Sequence, residues 1–330
     1  MKSKTFVFVV MGIFVLAPFF GVAWADKVYH IGEIVIIEHP DLQADSDGFK
    51  KAMEEEGLVE GKNVKYLRLN AEGDMSVAST IAKRFVSEKV DLMHPISTPV
   101  SQACVAAARE TQIPIVFSTC TAPAKAEIVS AWEAPRPDNV TGVSDMADIK
   151  VQMVAIKEIL PDLKRLGVIY NAGEVNSVQQ VDELKAILSE VGIEKLVEAT
   201  CSTTAEVITA TRSLIGRVDA IWNPTDNTTT SGLEAVIGVC EENRIPLFGS
   251  TGAMVERGCI AARGANYSWI GWKAGKYAAM ILKGEKKASE IPVVKCSGDA
   301  QVLVVNPAAA ERMGITIPQS VITKAARVIE

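Results

Sequence analysis

The chain has 330 residues, of which 34 are basic and 40 are acidic, so its formal net charge is −6. This balance excludes a protein that binds nucleic acid through the phosphates, because such proteins need an excess of Lys and Arg. The length exceeds the size at which a single hydrophobic core stops growing, so two domains are predicted.

Residues 1–25 have the pattern of a secretory signal peptide. Two lysines precede an apolar run at residues 6–20, and residues 23–25, Ala-Trp-Ala, provide the small residues of a cleavage site. An uncut membrane anchor is the alternative, because residues 6–25 would just reach across a bilayer, but Pro18 argues against it. We expect cleavage after Ala25 and residence in the periplasm.

The rest of the chain contains one α/β pattern twice. Residues 34–119 include IVIIEH, VDLMHPISTP and IPIVFST, and residues 168–251 repeat the order as VIYNAG, VDAIWNPTDN and IPLFGST. Apolar strands alternate with amphipathic helices in each half, which predicts parallel sheets covered by helices on both faces. The predicted fold is two similar doubly wound α/β lobes joined by a multi-strand hinge.

Three predicted crossings between the lobes define the domains. A turn-rich link at residues 139–145 leaves the first half, a helix at residues 268–282 returns to it, and an apolar strand at residues 302–305 crosses back. The predicted domains are residues 26–141 with 264–297 for lobe one and residues 142–263 with 298–330 for lobe two.

Polar loops at the carboxyl ends of the predicted strands form the candidate ligand site. Ligands of open parallel sheets bind at these ends, where helix N-termini present unpaired N–H groups. Short polar side chains there can also simply cap the helices, so the prediction rests on the loops together. The candidates are Glu38, Ser97, Thr98, Ser118, Thr119 and Thr121 in lobe one and Asn171, Asn176, Ser177, Thr225, Asp226, Asn227, Ser250 and Thr251 in lobe two. We expect Thr98 and Asn227 to contact the ligand from opposite lobes.

The sequence has no recognised catalytic or cofactor-binding motif. G-x-S-x-G, G-x-x-x-x-G-K-[ST] and H-E-x-x-H are absent, and G-x-G-x-x-G does not follow the first strand. His39 lies in a cleft loop without a recognisable nucleophile, so it is predicted to orient other groups. His94 is expected to be a satisfied side chain near the lobe surface. We therefore predict that the protein is not an enzyme and that it uses no cofactor or metal.

Tryptophan and cysteine leave alternatives open. Trp222 and Trp269 can either form an aromatic wall of the cleft or pack in the core. Six cysteines occur without C-x-x-C or metal-type spacing, so buried free thiols are favoured over a disulfide framework.

Five short segments, in order along nearly all of the chain after the leader, give it a family likeness. They are Glu38-His39-Pro40, Ser97-Thr98-Pro99, Asn139-Val140-Thr141-Gly142-Val143-Ser144-Asp145, Pro224-Thr225-Asp226-Asn227 and Ile315-Thr316-Ile317-Pro318. These segments resemble the ABC-transporter substrate-binding proteins that bind tryptophan and other aromatic amino acids. The resemblance implies a type I periplasmic-binding-protein fold, capture of a small molecule between the lobes, and delivery to a membrane permease driven by an ATPase. A monomer is expected, and a periplasmic sensor that presents its ligand to a membrane receptor is the alternative function.

Two departures from these relatives change the expected ligand. Ala122 and Asn266 stand where relatives tend to have Asp, and Arg263 adds a cation near the returning strand. Arg263 and Asn266 therefore join the candidate ligand-binding residues, although strand alternation places them on opposite faces unless the strand ends between them. The pocket is predicted to favour a carboxylate and to lack a strong site for an ammonium group.

Overall fold

The computed structural model describes residues 27–330, so the predicted signal peptide lies outside the described residues. None of the helices in this range is long and apolar enough to cross a membrane. The strands are β1 Tyr29–Val35, β2 Val64–Asn70, β3 Leu92–Ile96, β4 Ile115–Phe117, β5 Val140–Ser144, β6 Arg165–Asn171, β7 Lys195–Cys201, β8 Ala220–Trp222, β9 Leu247–Phe248, β10 Ala261–Ala265, β11 Val294–Lys295, β12 Gln301–Val305 and β13 Arg327–Val328. The α-helices are α1 Pro40–Glu55, α2 Met75–Ser87, α3 Thr98–Ala108, α4 Ile149–Ile159, α5 Val175–Ile187, α6 Val207–Arg212, α7 Asn227–Ser231, α8 Leu233–Asn243, α9 Gly252–Arg257, α10 Tyr267–Leu282, α11 Pro307–Arg312 and α12 Gln319–Lys324.

The strands form two parallel sheets and one small mixed sheet. The first parallel sheet has the order β11-β5-β4-β3-β1-β2, and the second has the order β7-β6-β8-β9. The first four strands of each half therefore have the same arrangement, in which the second strand lies at the edge beside the first and the third and fourth follow on the other side. The predicted α/β class with two similar parallel-sheet lobes is confirmed.

The two lobes are joined by three passages of the chain. We call the six-stranded sheet with its helices lobe one, and the four-stranded sheet with the mixed sheet β10-β12-β13 lobe two. The chain passes between the lobes after β5, after β10 and after β11, where β11 pairs with β5 and β12 pairs with β10. The predicted domain boundaries stay predictions; β5 ends at Ser144 and β10 ends at Ala265.

The tryptophans and cysteines pack in the lobes. Trp222 is fully buried in the core of lobe two, where its Nε1 donates to Oε1 of Gln152 at 3.3 Å. Trp269 packs against the core of lobe one. All six cysteines are free and buried. Core packing is therefore the role of both tryptophans, and the thiols behave as small apolar side chains.

Helices α1 and α10 approach each other closely across lobe one. A Cβ atom at Gly271 would lie 1.8 Å from the carbonyl oxygen of Asp45, and one at Gly48 would lie 2.2 Å from the carbonyl oxygen of Ser268. Only glycine fits at these positions without moving a backbone. This contact matters for the site, because the N-terminal turns of both helices face lobe two.

We predict that Gly271→Ala destabilises the protein by about 1–3 kcal/mol, because the added methyl group must push α1 and α10 apart. Chemical denaturation measures the free energy of unfolding. Gly238→Ala is the matched control, since Gly238 is also helical and a Cβ there would meet nothing within 4 Å. The control should be neutral or stabilising by up to about 1 kcal/mol. Equal destabilisation in both variants would contradict the close-packing argument.

Candidate functional site

A cavity lies between the lobes at the carboxyl ends of both parallel sheets. We call it the cleft cavity. Its lining residues come from both lobes and are His39, Asp41, Leu42, Ser97, Thr98, Thr119, Thr121, Asn176, Thr225, Asp226, Asn227, Thr230, Thr251, Met254 and Tyr267. The lining is mostly hydroxyl, amide and carboxyl groups, as the strand-end loops predicted.

Most of the candidate ligand-binding residues meet at this cavity. Those that line it are Ser97, Thr98, Thr119, Thr121, Asn176, Thr225, Asp226, Asn227 and Thr251. Thr98 and Asn227 line it from opposite lobes, and their contact with a ligand stays a prediction. The parallel strands end at one edge of each sheet, and this edge brings residues together that are far apart in the sequence.

The other candidates do not line the cavity. Glu38 is paired with Arg68 at 3.1 Å at the surface. Ser118 and Ser177 are buried behind the wall, Asn171 lines a separate groove between the lobes, and Ser250 is a buried neighbour of Thr225.

Arg263 and Asn266 also lie outside the cavity, which corrects the expectation that they change its charge. Arg263 is exposed on β10 and lines a groove on lobe two, because its neighbours on the strand, Ala262 and Gly264, face inward. The side chain of Asn266 accepts the N–H of Trp269 at 3.1 Å and caps α10. Ala122 is buried and likewise does not line the cavity.

Six lining residues were not among the candidates, and they share a position in the fold. They are His39, Asp41, Leu42, Thr230, Met254 and Tyr267. Each lies in a strand-end loop or within about one helical turn after it. For example, Met254 follows Thr251 by three residues, and Thr230 follows Asn227 by three residues. Side chains three apart share a helix face, so extending each loop by one turn would have found most of them.

Three hydroxyl groups of the cavity wall donate to buried carboxylates. Thr119 donates to Oδ2 of Asp45, Thr251 of lobe two donates to Oδ2 of Asp41 of lobe one at 2.8 Å, and Tyr267 donates to Oδ2 of Asp145 at 2.9 Å. A hydroxyl group has a single proton, so each of these oxygens can offer only lone pairs to a ligand. This part of the wall accepts hydrogen bonds and does not donate them.

Further buried acceptors near the cavity have no hydrogen-bond partner in the described part of the chain. They include Oδ1 of Asp145, beside Tyr267, and Oδ1 of Asn176. Ser97 Oγ and His39 Nδ1 are also unpaired. Because buried polar groups in proteins are nearly always paired, these atoms indicate positions that a ligand would satisfy.

Burial changes the protonation of the acidic groups in the cleft. It raises the pKa of Asp41 to about 7 and also raises the pKa of Asp145. Burial, followed by the charge of Glu174, raises the pKa of Asp226 to about 7. The pKa of His39 falls to about 4 because burial disfavours its cation. A cationic ligand group would lower the raised pKa values of these acidic residues, because an opposite charge nearby favours the carboxylate.

Two acidic residues of lobe two have structural roles. Asp226 accepts the backbone N–H groups of Asn171 and Thr229, both at 2.7 Å. Glu174 accepts those of Asn227 and Thr228, both at 3.1 Å. These bonds satisfy the start of α7 and hold Asn227 at the cavity, so Asp226 lines the cavity with oxygens that are already bonded.

His94 is not near the lobe surface, which corrects that expectation. It is fully buried, with Nε2 2.8 Å from Oγ of Ser118 and Nδ1 3.0 Å from Oε2 of Glu33. This order resembles a serine–histidine–acid triad. However, Ser118 is fully enclosed and donates to Asp45 at 2.7 Å, so a ligand in the cavity cannot reach its oxygen.

The profile of a known family, described as ABC transporter substrate binding protein, matches residues 30–329. The chain belongs to this family. Its members are solute-binding components of importers, so a small-molecule ligand and a membrane permease are the partners of this chain. Family members work outside the cytoplasm.

Three relatives are informative. A tyrosine-binding protein of Clostridioides difficile is 39% identical over 280 residues, which are 85% of this chain and 79% of that protein. An ABC domain from Streptococcus pneumoniae in complex with L-Trp has a TM-score of 0.86 and 33% identity, and the match covers 92% of this chain and 100% of that one. A ligand-free, open substrate-binding protein from Clostridium difficile has a TM-score of 0.68 and 34% identity, with coverage of 92% and 99%. The type I periplasmic-binding-protein fold is confirmed.

The lobes are arranged more like those of the L-Trp complex than like those of the open protein. At nearly equal sequence identity, the TM-score is 0.86 with that complex and 0.68 with the open protein. Contacts between the lobes agree with this, since Thr251 donates to Asp41 and Lys125 of lobe one donates to Asp182 of lobe two at 3.0 Å. Both lobes can therefore contact one ligand at the same time.

We predict that the ligand-free protein closes more readily at about pH 6.5 than at about pH 8. Asp41 is buried where the lobes meet, and burial raises its pKa from the ordinary value of 3.8 to about 7. A closing motion that buries this group takes up a proton, so closing becomes less favourable as pH rises through about 7. The charged groups facing Asp41 are Arg257, which opposes the shift, and Asp145 and Glu256, which add to it. Small-angle scattering should give a smaller radius of gyration at about pH 6.5 than at about pH 8. Lower pH is avoided because His39 in the same cavity has a pKa lowered to about 4, so it must lose its proton when it is buried and opposes closing there.

Asp41→Asn is the matched variant for this measurement, because it keeps the shape of the side chain and removes its titration. Its radius of gyration should depend less on pH than that of the wild type. The same pH dependence in both proteins, or a larger radius at the lower pH, would contradict the role of Asp41.

Proposed function

We propose that this substrate-binding protein captures an aromatic α-amino acid and holds it by the ammonium group as well as by the carboxylate. The observation that carries the proposal is the set of wall hydroxyls that donate to Asp45, Asp41 and Asp145. An ammonium group has three N–H donors and no acceptor, so it complements a wall that offers only lone pairs.

Asp145, which lies behind Tyr267 of the cavity lining and is bonded to it, is the proposed principal partner of the ammonium group. Its Oδ2 is bonded to Tyr267 at 2.9 Å, its Oδ1 is unpaired, and the residue is almost fully buried. A buried cation without a partner is strongly unfavourable, whereas hydrogen bonds to a charged group contribute about 1.5–3 kcal/mol each. Two or three such bonds make up a large part of the roughly 8 kcal/mol that a micromolar dissociation constant requires.

The start of α3 is the proposed site for the ligand carboxylate. Ser97 has an unpaired hydroxyl group, and α3 begins at Thr98, so the N–H groups of Thr98 and Val100 in its first turn lie near that hydroxyl, while Pro99 between them has none. Helix N-termini favour anions because the N–H groups and the helix dipole both point toward them. The two charged groups of an amino acid would thus meet different parts of the wall.

The relatives and the apolar part of the cavity lining both support the proposal that the ligand has an aromatic side chain. Leu42, Met254 and Tyr267 offer apolar surface within the cavity. The tyrosine-binding relative and the L-Trp complex belong to proteins that match most of this chain. The earlier expectation of a pocket without an ammonium site is withdrawn, because Ala122 and Asn266, on which it rested, lie outside the cavity.

The remaining parts of the proposal concern location and state. We propose that the leader is cleaved, that the mature protein works as a monomer in the periplasm, and that it transports its ligand without chemical change. The family membership supports this role.

We predict that the protein binds L-tyrosine or L-tryptophan and binds their deaminated acids at least tenfold more weakly, because the acids lack the group that pairs with Asp145. Asp145→Asn should weaken amino-acid binding by about tenfold to hundredfold and leave the affinity for the deaminated acids nearly unchanged. Isothermal titration calorimetry gives both affinities. Tighter binding of the deaminated acids by the wild type would overturn the proposed function.

A further inference from the structure

A buried polar network lies directly behind the lobe-one wall of the cleft cavity. Asp45 on α1 accepts from Ser118 through Oδ1 and from Thr119 through Oδ2. Ser118 also contacts His94 on β3, and His94 contacts Glu33 on β1 at 3.0 Å. Of these residues only Thr119 lines the cavity. The network therefore connects the centre of the lobe-one sheet to one hydroxyl group at the ligand site.

The packing around the network keeps its members in place. The rings of His94 and Phe49 are stacked, with centroids 3.7 Å apart and an angle of 14° between their planes. Glu33 accepts from Ser46 at 2.7 Å and pairs with Arg68 at 2.8 Å. Glu33, Asp45 and His94 have no exposed surface. Each residue of the network is held by more than one neighbour. The direction of each hydrogen bond between them can therefore be deduced from the number of protons that the side chains have.

The direction of the bond to Thr119 follows from the charge of Asp45. Burial raises the pKa of Asp45 to about 6, so it is a carboxylate at pH 7. Its Oδ1 accepts from Ser118 and its Oδ2 accepts from Thr119. Because Ser118 gives its proton to Asp45, Nε2 of His94 donates to Ser118, and Nδ1 faces Glu33. A carboxylate has no proton to donate, so Thr119 must be the donor.

The backbone at Thr119 also favours a fixed direction for this hydroxyl group. Thr119 has φ of 51°, in the left-handed region that β-branched residues rarely adopt. The chain on either side is bonded to its neighbours, since the N–H of Ser97 donates to the carbonyl oxygen of Ser118 at 3.1 Å and the N–H of Thr121 donates to Oγ1 of Thr98 at 3.2 Å. Such a conformation persists when the surroundings determine it, and positions of this kind are common at ligand sites.

We propose that Asp45 is a positioning residue for ligand recognition: it does not touch the ligand, but it takes the proton of Thr119 and leaves the Thr119 oxygen facing the cavity as an acceptor. The inference rests on the proposed function, because it assumes a ligand with an N–H donor at this wall. Thr119 then selects for the ammonium group, and the carboxylate behind it determines that selection.

Asp45→Asn tests the inference, because the amide has the shape of the carboxylate but can donate to Thr119 and turn its proton toward the cavity. Affinity for L-tyrosine and L-tryptophan should fall by about tenfold to hundredfold, whereas affinity for their deaminated acids should stay the same or rise. The ratio of the two affinities is the measurement, since a general loss of stability changes both alike. Thr211→Val, which removes a buried hydroxyl group in α6 of lobe two, is the control and should leave the ratio unchanged.

The double variant shows whether Asp45 acts through Thr119. Thr119→Val should lower the ratio by a similar factor, and Asp45→Asn should lower it no further when Thr119 is already Val. Two outcomes would overturn the inference while the proposed function stands. One is a double variant in which the two reductions of the affinity ratio multiply, and the other is an Asp45→Asn variant that keeps the wild-type ratio. If the wild type itself prefers the deaminated acids, the proposed function is overturned first.

A measurement without ligand keeps the inference testable in that case. The hydroxyl proton of Thr119, held by a buried carboxylate, should exchange slowly with water and give its own NMR signal in the ligand-free protein. The signal should be absent in Thr119→Val and should shift or disappear in Asp45→Asn. A Thr119 hydroxyl proton that exchanges rapidly in the wild type would overturn the inference regardless of the ligand.

Discussion

The burial of carboxylates at the meeting point of the two lobes is the constraint on which the rest of the site depends. A carboxylate that leaves water must find donors or a cation, because an unpaired buried charge is strongly unfavourable. Asp41, Asp45 and Asp145 each find a hydroxyl group of the wall. The same bonds decide what the wall can offer a ligand, since a hydroxyl that has given its proton to a carboxylate can only accept. The internal pairing of lobe one and the selectivity of the cavity thus follow from one set of hydrogen bonds.

Helix α1 connects this chemistry to the fold. Asp41 in its first turn reaches Thr251 of the other lobe, Asp45 one turn later reaches the Ser118–Thr119 loop, and Phe49 after that stacks on His94. A spacing of four residues repeats these side chains along one face of the helix. The close approach of α10 at Gly271 fixes that face and places Tyr267 opposite Asp145. One helix therefore contributes to closure, to the wall and to the core.

Much of the fold could be predicted from sequence because it depends on periodic patterns. The duplicated strand–helix order indicated two lobes with equal strand arrangements, and the strand-end loops identified Ser97, Thr119, Asn227 and Thr251 as cavity residues. The acidic residues of the site could not be predicted from such patterns. Asp41 and Asp45 belong to a helix whose sequence has an ordinary amphipathic pattern; the packing of lobe one buries Asp45, and Asp41 is buried at the contact with Thr251 of lobe two. Arg263 was misplaced because the direction of its side chain depends on which face of β10 meets the core, which a short strand of small residues does not indicate.

The acidic cavity also explains why ligand and closure are coupled. Without a cation, the lobes in this arrangement hold Asp41, Asp145 and Asp226 in a region of low dielectric constant, where each resists ionisation. Closing must then take up protons or leave charges poorly solvated, and both disfavour the closed state at neutral pH. A bound ammonium group supplies the missing positive charge, so its interaction with the protein is stronger in the closed state than in the open one. A ligand shifts a conformational equilibrium only by this difference in affinity. A deaminated ligand of the same shape would fill the cavity and still leave the acids unpaired, so it would bind without stabilising closure to the same degree.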